Sequence, residues 1–464
     1  MSASDSRRSA LKHLGGLGAA ATATAGLGGG LAAALGLAMQ SAKAANPDYR
    51  VVICINLWGG ADGNDILIPT DGAYLDYAKA RPNLAIAKDS LIALNGSTAG
   101  HTFALPPAIK DLATLYNQGR LAMVANVGAL VMPVTAAQVL SRRATVPPFL
   151  GSHAEQTAFV QGWTGDTDVT GWAGRSMELM PSDLKKTLPL ISYDQNYTLL
   201  MGKKSRVTIC SSFAGVVWGK VDVSSPTNIW TSNVLAMGGL QSSNFYAAEY
   251  ARTLNANMEA AVLLAQIGSK AIKPANNFPS SPLGTDLRHL VSLLPVFKEQ
   301  GARRQVFQVN VGSGAFDTHA NQRGTDKNSL DTLLSQIGPE LLAFDNAIKA
   351  AGLDQNVVTL VMSEFGRALQ PAAGGGTDHG WGNHWMVMGG PVQGQQVLGS
   401  FPTLTLGGPD DGDTFKKGRW VPTISSDQVG ATLMQWLGLA SDQLTQAFPN
   451  LKNFAQKTVG FLRA

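Results

Sequence analysis

The chain has 464 residues, of which 45% are hydrophobic and 15% are charged, with 36 basic and 32 acidic side chains. Residues 1–44 hold four of the basic residues and one of the acidic ones, so the rest of the chain is nearly neutral. Because no basic run is present, the charge pattern gives no reason to expect a nucleic acid partner. The two cysteines, Cys54 and Cys210, cannot make a disulfide framework, and the sequence leaves open whether they pair with each other. The length allows one large domain with an insertion, or two domains.

The first 44 residues have the three parts of an export signal. Arg7 and Arg8 form a twin-arginine pair, a Gly/Ala/Leu-rich stretch follows from Leu14 to Met39, and a small-x-small cleavage site ends at Ala44. The stretch is long enough to span a membrane, but its many glycines favour cleavage after Ala44 over an anchor. We therefore expect the twin-arginine translocon to export residues 45–464 as a folded, periplasmic or secreted protein without a stable membrane span.

Beyond the signal, strands alternate with helices. Nearly continuous apolar runs predict strands at 50–58, 121–127, 304–311 and 356–362. Helical patterns are found at 107–118, 152–161 and 329–351. This order predicts an α/β fold with a mainly parallel central sheet flanked by helices. Residues 165–295 break the alternation, and their long amphipathic stretch at 246–267 indicates an inserted, largely helical cap.

Loops with metal-ligand side chains follow these strands. In an open α/β sheet, ligands bind in the crevice outside the carboxyl ends of the strands, so residues far apart in the sequence can converge there. Carboxylates and neutral imidazoles are ligands that Zn²⁺ and Mn²⁺ accept, which favours a metallohydrolase. The alternative is that these polar side chains only cap turns. The predicted metal ligands are Asp62, Asp317, His319, Glu364, Asp378 and His379.

Four ordered motifs resemble the signatures of domain-of-unknown-function family 1501. They are LWGGADGND at 57–65, FDTHANQ at 316–322, SEFGR at 363–367 and GTDHG at 376–380. The resemblance covers essentially the whole chain after residue 44. It implies an alkaline phosphatase-like fold, in a superfamily that includes phosphatases, sulfatases, phosphodiesterases and phosphomutases. It also implies a divalent metal cofactor, with Zn²⁺ or Mn²⁺ as the candidates.

The superfamily pattern suggests a nucleophile at Ser152. Sulfatases place a Cys or Ser at the start of a helix that ends in a glycine, and Ser152 with Gly162 is similar in spacing. The Cys-x-Pro-x-Arg motif of a formylglycine sulfatase is absent at both cysteines. Ser152 also begins an S-x-x-E capping box, in which the hydroxyl only accepts from the helix N–H groups. The two interpretations can coexist.

The metal motifs match the superfamily with differences. Asp62 resembles the first metal acid, with Asp65 as the other candidate, and the Asp317/His319 pair is shorter than the usual Asp-x-x-x-His. Phe365 follows Glu364 where superfamily members have Asp-His, and phenylalanine cannot bind a metal. A single metal, a rearranged pair and a non-catalytic site therefore all remain open.

The remaining site predictions concern the substrate. Arg367 could offer a bidentate fork to a tetrahedral oxyanion, or could be a surface arginine. Trp381, Asn383 and His384 are interpreted as substrate-binding residues, because His384 lies where sulfatases often have a substrate-binding lysine. The predicted function is an exported metal-dependent hydrolase of phosphate or sulfate esters, acting on a small-molecule or glycan ester. The alternative is an exported binding or assembly protein that keeps the fold without the chemistry.

Overall fold

The computed structural model describes residues 48–463 apart from 97, 99, 165–167, 195–197, 211–216, 219–220, 223–227, 275 and 313. The predicted signal, with Arg7, Arg8 and the cleavage site after Ala44, lies outside the described residues. The strands are β1 (Arg50–Asn56), β2 (Ile68–Pro69), β3 (Ile92–Ala93), β4 (Phe103–Leu105), β5 (Leu121–Gly128), β6 (Leu190–Ser192), β7 (Thr208–Ile209), β8 (Val217–Trp218), β9 (Val221–Asp222), β10 (Arg304–Asn310), β11 (Val357–Met362), β12 (Arg367–Pro371), β13 (Thr377–His379), β14 (Asn383–Met388), β15 (Val397–Leu398) and β16 (Ile424–Ser425). The helices are α1 (Ala73–Ala80), α2 (Lys110–Asn117), α3 (Ala136–Leu140), α4 (His153–Val160), α5 (Trp172–Leu179), α6 (Ile229–Gly238), α7 (Phe245–Gly268), α8 (Pro282–Glu299), α9 (Leu330–Ala350), α10 (Ser426–Leu437) and α11 (Leu444–Ala447).

A large, mainly parallel sheet forms the centre of the fold, as predicted. Its strand order is β15-β5-β14-β11-β1-β10-β6-β7, with β16 also paired to β5. Strand β1 pairs in parallel with β10 on one side and β11 on the other. Strand β14 is antiparallel to both of its neighbours, β11 and β5. Because β1, β10 and β11 are adjacent and parallel, the loops after them open at the same edge of the sheet.

The central strands form because they are apolar on both faces. Every residue of β5 and β11 is buried, which is typical of strands covered by helices on two sides. The predicted strands and helices in this part of the chain are confirmed to within a few residues. Helix α9 shows how the helices are fixed, since Ser329 caps it by accepting from the Thr332 N–H, and its buried residues repeat at helical spacing.

The chain divides into two compact units. The larger unit contains Asp48–Ser212, Ile272–Pro295 and Ala302–Ala464, and the smaller unit includes Phe213–Ala271 and Val296–Gly301. Within the smaller unit, α6 and α7 pack together around Met258. The predicted insertion at 165–295 stays a prediction, because residues near both of its ends are assigned to the larger unit and its bounds differ from those of the smaller unit. Cys54 and Cys210 are both buried and form no disulfide with each other. No helix among the described residues is long and apolar enough to cross a membrane.

Candidate metal centre

Three loops meet at the carboxyl edge of the central strands. The loop after β1 holds the loop after β10 through the Phe316 N–H, which donates to the Trp58 carbonyl at 3.1 Å. The Gly59 N–H donates to the Glu364 carboxylate after β11 at 2.8 Å. Gly59 has a φ of +120°, and a Cβ there would lie 2.3 Å from the Asp317 nitrogen. Only glycine therefore allows the loops to approach this closely.

Four side chains at this edge form what we call the histidine–aspartate cluster: His153, Asp317, His319 and His379. The Nε2 atoms of His319 and His379 each lie 3.0 Å from Oδ1 of Asp317. Those two Nε2 atoms are 3.0 Å apart. His153 approaches from the start of α4, with its Nε2 3.4 Å from Oδ2 of Asp317. Among the described residues, His153, Asp317 and His379 form a group whose ligand atoms all lie within 4.8 Å of one another.

The opposite nitrogens of two of these rings are fixed by hydrogen bonds. Nδ1 of His379 lies 2.6 Å from the Gly151 carbonyl, which can only accept, so this nitrogen carries the proton. Nδ1 of His153 lies 2.7 Å from a carboxylate oxygen of Glu364. In a neutral imidazole held this way, Nε2 has the free lone pair, and such contacts to carboxylates or carbonyls typically orient metal-binding histidines. The Phe365 ring packs against both imidazoles, with centroid distances of 4.9 and 4.8 Å.

Arg367 lies behind Asp317 and holds it in place. The Arg367 side chain is buried, and its Nη1 donates to Oδ1 of Asp317 and to the Gly59 carbonyl, both at 2.9 Å. Its Nε donates to the Thr377 hydroxyl at 2.9 Å and to the Thr377 carbonyl at 3.1 Å. These contacts engage the guanidinium in the protein interior. The structure therefore does not present Arg367 as the fork for an incoming oxyanion that the sequence predicted.

The cluster has uneven proton affinities. The hydrogen bond to Glu364 is the main reason that the pKa of His153 is raised. Partial burial, together with the nearby charge of Arg367, lowers the pKa of His319. Partial burial alone would raise the pKa of Asp317, but the hydrogen bond and charge of Arg367 outweigh it and lower the pKa. The carboxylate is thus ionised at neutral pH.

The distances from the histidine nitrogens to Asp317 match those between two ligands of one divalent cation. Two ligand atoms that are each about 2.1 Å from one ion are roughly 3.0–3.4 Å apart at right or tetrahedral angles. The contacts of the cluster to Asp317 fall in this range, at 3.0 to 3.4 Å. Imidazole nitrogen combined with carboxylate oxygen suits Zn²⁺, Mn²⁺ or Fe²⁺ better than Ca²⁺ or Mg²⁺.

Asp62 is not brought into the cluster. Its Oδ2 accepts from Arg81 at 2.5 Å and from Gln322 at 2.7 Å, and its Oδ1 accepts from the Asn64 N–H at 3.1 Å. Asp65 also binds Arg81, at 3.0 Å, so this buried guanidinium lies between the two carboxylates. A cation from the protein itself therefore neutralises the residues that the sequence assigned to the metal.

Two further predicted ligands, Glu364 and Asp378, are not members of the cluster. Glu364 contacts His153, where it orients the ring, and its other oxygen accepts from the Ser363 hydroxyl at 2.9 Å. Asp378 pairs with Arg419 at 2.5 Å and accepts from the His379 N–H at 2.8 Å. Of the six predicted metal ligands, the structure brings together Asp317, His319 and His379.

The three predicted substrate-binding residues are buried in the fold. The Trp381 indole donates to the Ala129 carbonyl at 2.9 Å. The Asn383 amide holds the loop after β1 through the Ala61 carbonyl at 3.0 Å. His384 lies in β14 and accepts from the Asn126 N–H, and burial lowers its pKa to about 4. None of the three side chains reaches the cluster.

Ser152 lies beside the cluster as the residue before α4. Of its two neighbours in the chain, Gly151 accepts a hydrogen bond from His379 and His153 belongs to the cluster. The Ser152 hydroxyl donates to the Glu155 carboxylate and makes no bond to a backbone N–H of the helix. The capping box that the S-x-x-E pattern favours is therefore not formed, and the hydroxyl is left paired with a carboxylate.

His153 is the site residue that the sequence interpretation missed. The sequence pattern placed it only in the predicted helix. A histidine directly after the predicted nucleophile Ser152 is a signal that could have identified it. Its partners, Asp317 and Glu364, are more than 160 residues further along the chain.

No curated protein matches the chain. Solved structures to which the chain is similar include the lipoteichoic acid synthase LtaP from Listeria monocytogenes (9% identity, covering 85% of this chain and 73% of that chain, TM-score 0.32). Others are the PsFucS1 sulfatase from Pseudoalteromonas sp. (8%, 94% and 77%, TM-score 0.35) and the phosphonate monoester hydrolase SpPMH from Silicibacter pomeroyi (10%, 85% and 74%, TM-score 0.32). Residues 225–449 match the model of a family described as "Protein of unknown function (DUF1501)". The family resemblance predicted from the motifs is thus confirmed over these residues, which include Asp317, Glu364 and Asp378 but not Asp62.

Proposed function

We propose that this protein is an exported, metal-dependent hydrolase of phosphate or sulfate esters. His153, Asp317 and His379 would hold the cation, with His319 as a further ligand. One observation carries the proposal: the Nε2 atoms converge on a single carboxylate, while the Nδ1 atoms of His153 and His379 are engaged by Glu364 and Gly151. This is a ligand set with its supporting contacts already in place.

The cluster is open to a substrate. The side chains of Asp317, His153 and His319 are 32%, 39% and 48% exposed, so an ester can approach from solvent. A bound divalent cation would supply Lewis acidity at an ester oxygen. The protein's own part is to keep the ligands in fixed orientations, which Arg367 does for Asp317 and Glu364 does for His153.

Ser152 is the proposed nucleophile. Its hydroxyl already donates to Glu155, whose carboxylate can accept the proton when the oxygen attacks. The residue lies at the N-terminal end of α4, where backbone N–H groups favour an anionic oxygen. A water molecule near the cluster is the other source of the nucleophile.

The place of action belongs to the same proposal. The twin-arginine pair at Arg7 and Arg8, with the cleavage site after Ala44, supports export by the translocon. The substrate would then be a small-molecule or glycan ester met outside the cytoplasm. A nearly neutral mature chain gives no support for nucleic acid as the substrate.

The test is metal content and turnover in the same preparations. Protein supplied with Zn²⁺ or Mn²⁺ should contain stoichiometric metal by elemental analysis and should hydrolyse an aryl phosphate mono- or diester, or an aryl sulfate. His379→Ala should lose both metal and turnover. His101→Asn is the matched control. His101 lies outside the cluster and pairs with Asp71, with 2.8 Å between Nδ1 and Oδ2, so its replacement should change neither metal content nor turnover.

Ser152→Ala separates the two steps of the proposal. It should abolish turnover and retain the metal, whereas full turnover would assign the nucleophile to water. Metal without turnover on any of these esters would favour the alternative, a non-catalytic exported binding protein. A wild-type protein that takes up no metal would contradict the proposal.

A further inference from the structure

A chain of buried hydrogen bonds connects the histidine–aspartate cluster to the Asp62–Arg81–Asp65 ion pairs. Its central member is Thr377, a fully buried residue in β13. The Thr377 hydroxyl accepts from Nε of Arg367 at 2.9 Å and lies 3.0 Å from Oε1 of Gln322. Arg367 in turn donates to Asp317 at 2.9 Å. The Thr377 hydroxyl makes no hydrogen bond to a side chain of the cluster, and its link to Asp317 runs through Arg367.

The direction of each bond in this chain is determined. Nε2 of fully buried Gln322 lies 2.7 Å from a carboxylate oxygen of Asp62 and 2.7 Å from one of Asp65, so the NH₂ side of the amide faces the two acids. Its Oε1 must then accept, and it does so from the hydroxyls of Thr377 and Thr318, at 3.0 and 3.3 Å.

This fixes the hydroxyl proton of Thr377. Since Oε1 of Gln322 can only accept, Thr377 has to donate to it, which turns the hydroxyl lone pairs towards Arg367. Nε of Arg367 can only donate, so the contact is satisfied in one arrangement alone. The hydroxyl therefore acts together with the Thr377 and Gly59 carbonyls to hold the guanidinium plane, and this plane presents Nη1 to Asp317.

We propose that Thr377 is a positioning residue for the metal site: its hydroxyl orients Arg367, which holds Asp317 where the histidines converge. The inference rests on the proposed function, because it assigns a supporting role around the same cation. It also gives Asp62 and Asp65 a part in the site, since these acids orient Gln322 and Gln322 orients Thr377. Groups hydrogen-bonded directly to a metal ligand, as Arg367 is to Asp317, typically change the affinity by about 10- to 100-fold when they are removed, and Thr377 is one hydrogen bond further out.

The experiment compares Thr377→Val with Thr377→Ser. Valine has nearly the same shape as threonine and removes the hydroxyl, whereas serine keeps the hydroxyl and removes a methyl group. The affinity for Zn²⁺ or Mn²⁺ is measured by competition with a chelating dye, and the melting temperature of each metal-free variant is recorded beside it. Thr377→Val should bind the cation about 10-fold more weakly, at the lower end of the range for direct partners of a ligand, and Thr377→Ser should keep an affinity close to that of the wild type.

Thr432→Val is the matched control. Thr432 is also a buried threonine, but its hydroxyl donates to the Gln428 carbonyl at 2.7 Å in α10 and takes no part in this chain of bonds, so the affinity should stay near the wild-type value. If Thr377→Val does not yield folded protein, Thr377→Ala is measured against Thr377→Ser in the same way.

The outcomes distinguish the two proposals. If the Thr377→Val variant melts earlier but still binds the cation with wild-type affinity, that result would overturn the positioning role of Thr377 and leave the proposed metal site standing. Wild-type protein that binds neither cation would overturn the metal site itself.

Discussion

Arg81→Met tests whether the buried ion pairs at Asp62 and Asp65 are needed for the fold. The guanidinium and both carboxylates are fully buried, and removing one partner of a buried pair costs about 3–5 kcal/mol. The larger unit has about 350 residues. At about 2.1 cal/mol/K of unfolding entropy per residue, we expect the melting temperature to fall by roughly 4–7 °C.

The loss should depend on pH with a defined sign. Burial alone would raise the pKa of Asp62, but the charge and hydrogen bond of Arg81 lower it, whereas burial outweighs the charge of Arg81 and raises the pKa of Asp65. Removing Arg81 raises both pKa values. Asp65 keeps its ion pair with Arg323, so the charge left unpaired is that of Asp62, which the variant relieves by taking up a proton. The deficit should be full at about pH 8 and smaller near pH 5.

The assay is thermal melting at the two pH values, with Arg303→Met as the control. Arg303 pairs with Asp48 and Asp183 at the surface, where ion pairs contribute about 0–1 kcal/mol. If Arg81→Met melts no lower than Arg303→Met, the account of the buried network is wrong. A deficit that grows as the pH falls would refute the assignment of the unpaired charge to the carboxylates.

Two further predictions concern stability and export. Burial raises the pKa of Glu340 to about 7, so the folded state keeps a proton that the unfolded state releases above about pH 4.5. The free energy of unfolding of the wild type should therefore fall by about 3 kcal/mol between about pH 4.5 and 7. Glu340→Gln should flatten this slope in denaturant titrations, and an unchanged slope would contradict the shift. Replacing Arg7 and Arg8 together with lysine should leave uncleaved precursor in the cytoplasm, as seen by fractionation and mass measurement; normal export of that variant would exclude the twin-arginine route.

The sequence predicted the central strands well because their signal is local. Strand β1 is an unbroken apolar run, and the loop that follows it contains Gly59, whose positive φ the close approach to Asp317 requires. Strand β14 was missed because its first residues, Asn383 and His384, are polar. Only its position between β5 and β11 shows that it is a buried strand.

The candidate site was predicted only in part because most of its contacts join residues that are far apart in the sequence. Asp317, His319 and His379 were found from ligand type and from their position after strands. Asp62 has the same local signal, but Arg81 reaches it from α1 and neutralises it, which no pattern near Asp62 reveals. His153 is a ligand-type residue but does not follow a strand, and its partners Asp317 and Glu364 come from distant loops.

The side chains of the histidine–aspartate cluster come from three segments that are far apart in the chain. His153 begins α4, Asp317 and His319 follow β10, and His379 ends β13. A growing chain that stops before residue 379 lacks one ligand, and the complete chain gathers them only after β10 and β11 have paired on either side of β1. Under the proposed function, the cation would therefore bind after these strands have paired and would not act as a nucleus for folding. For a protein exported in the folded state, the cation would then be selected by its availability in the compartment where folding is completed.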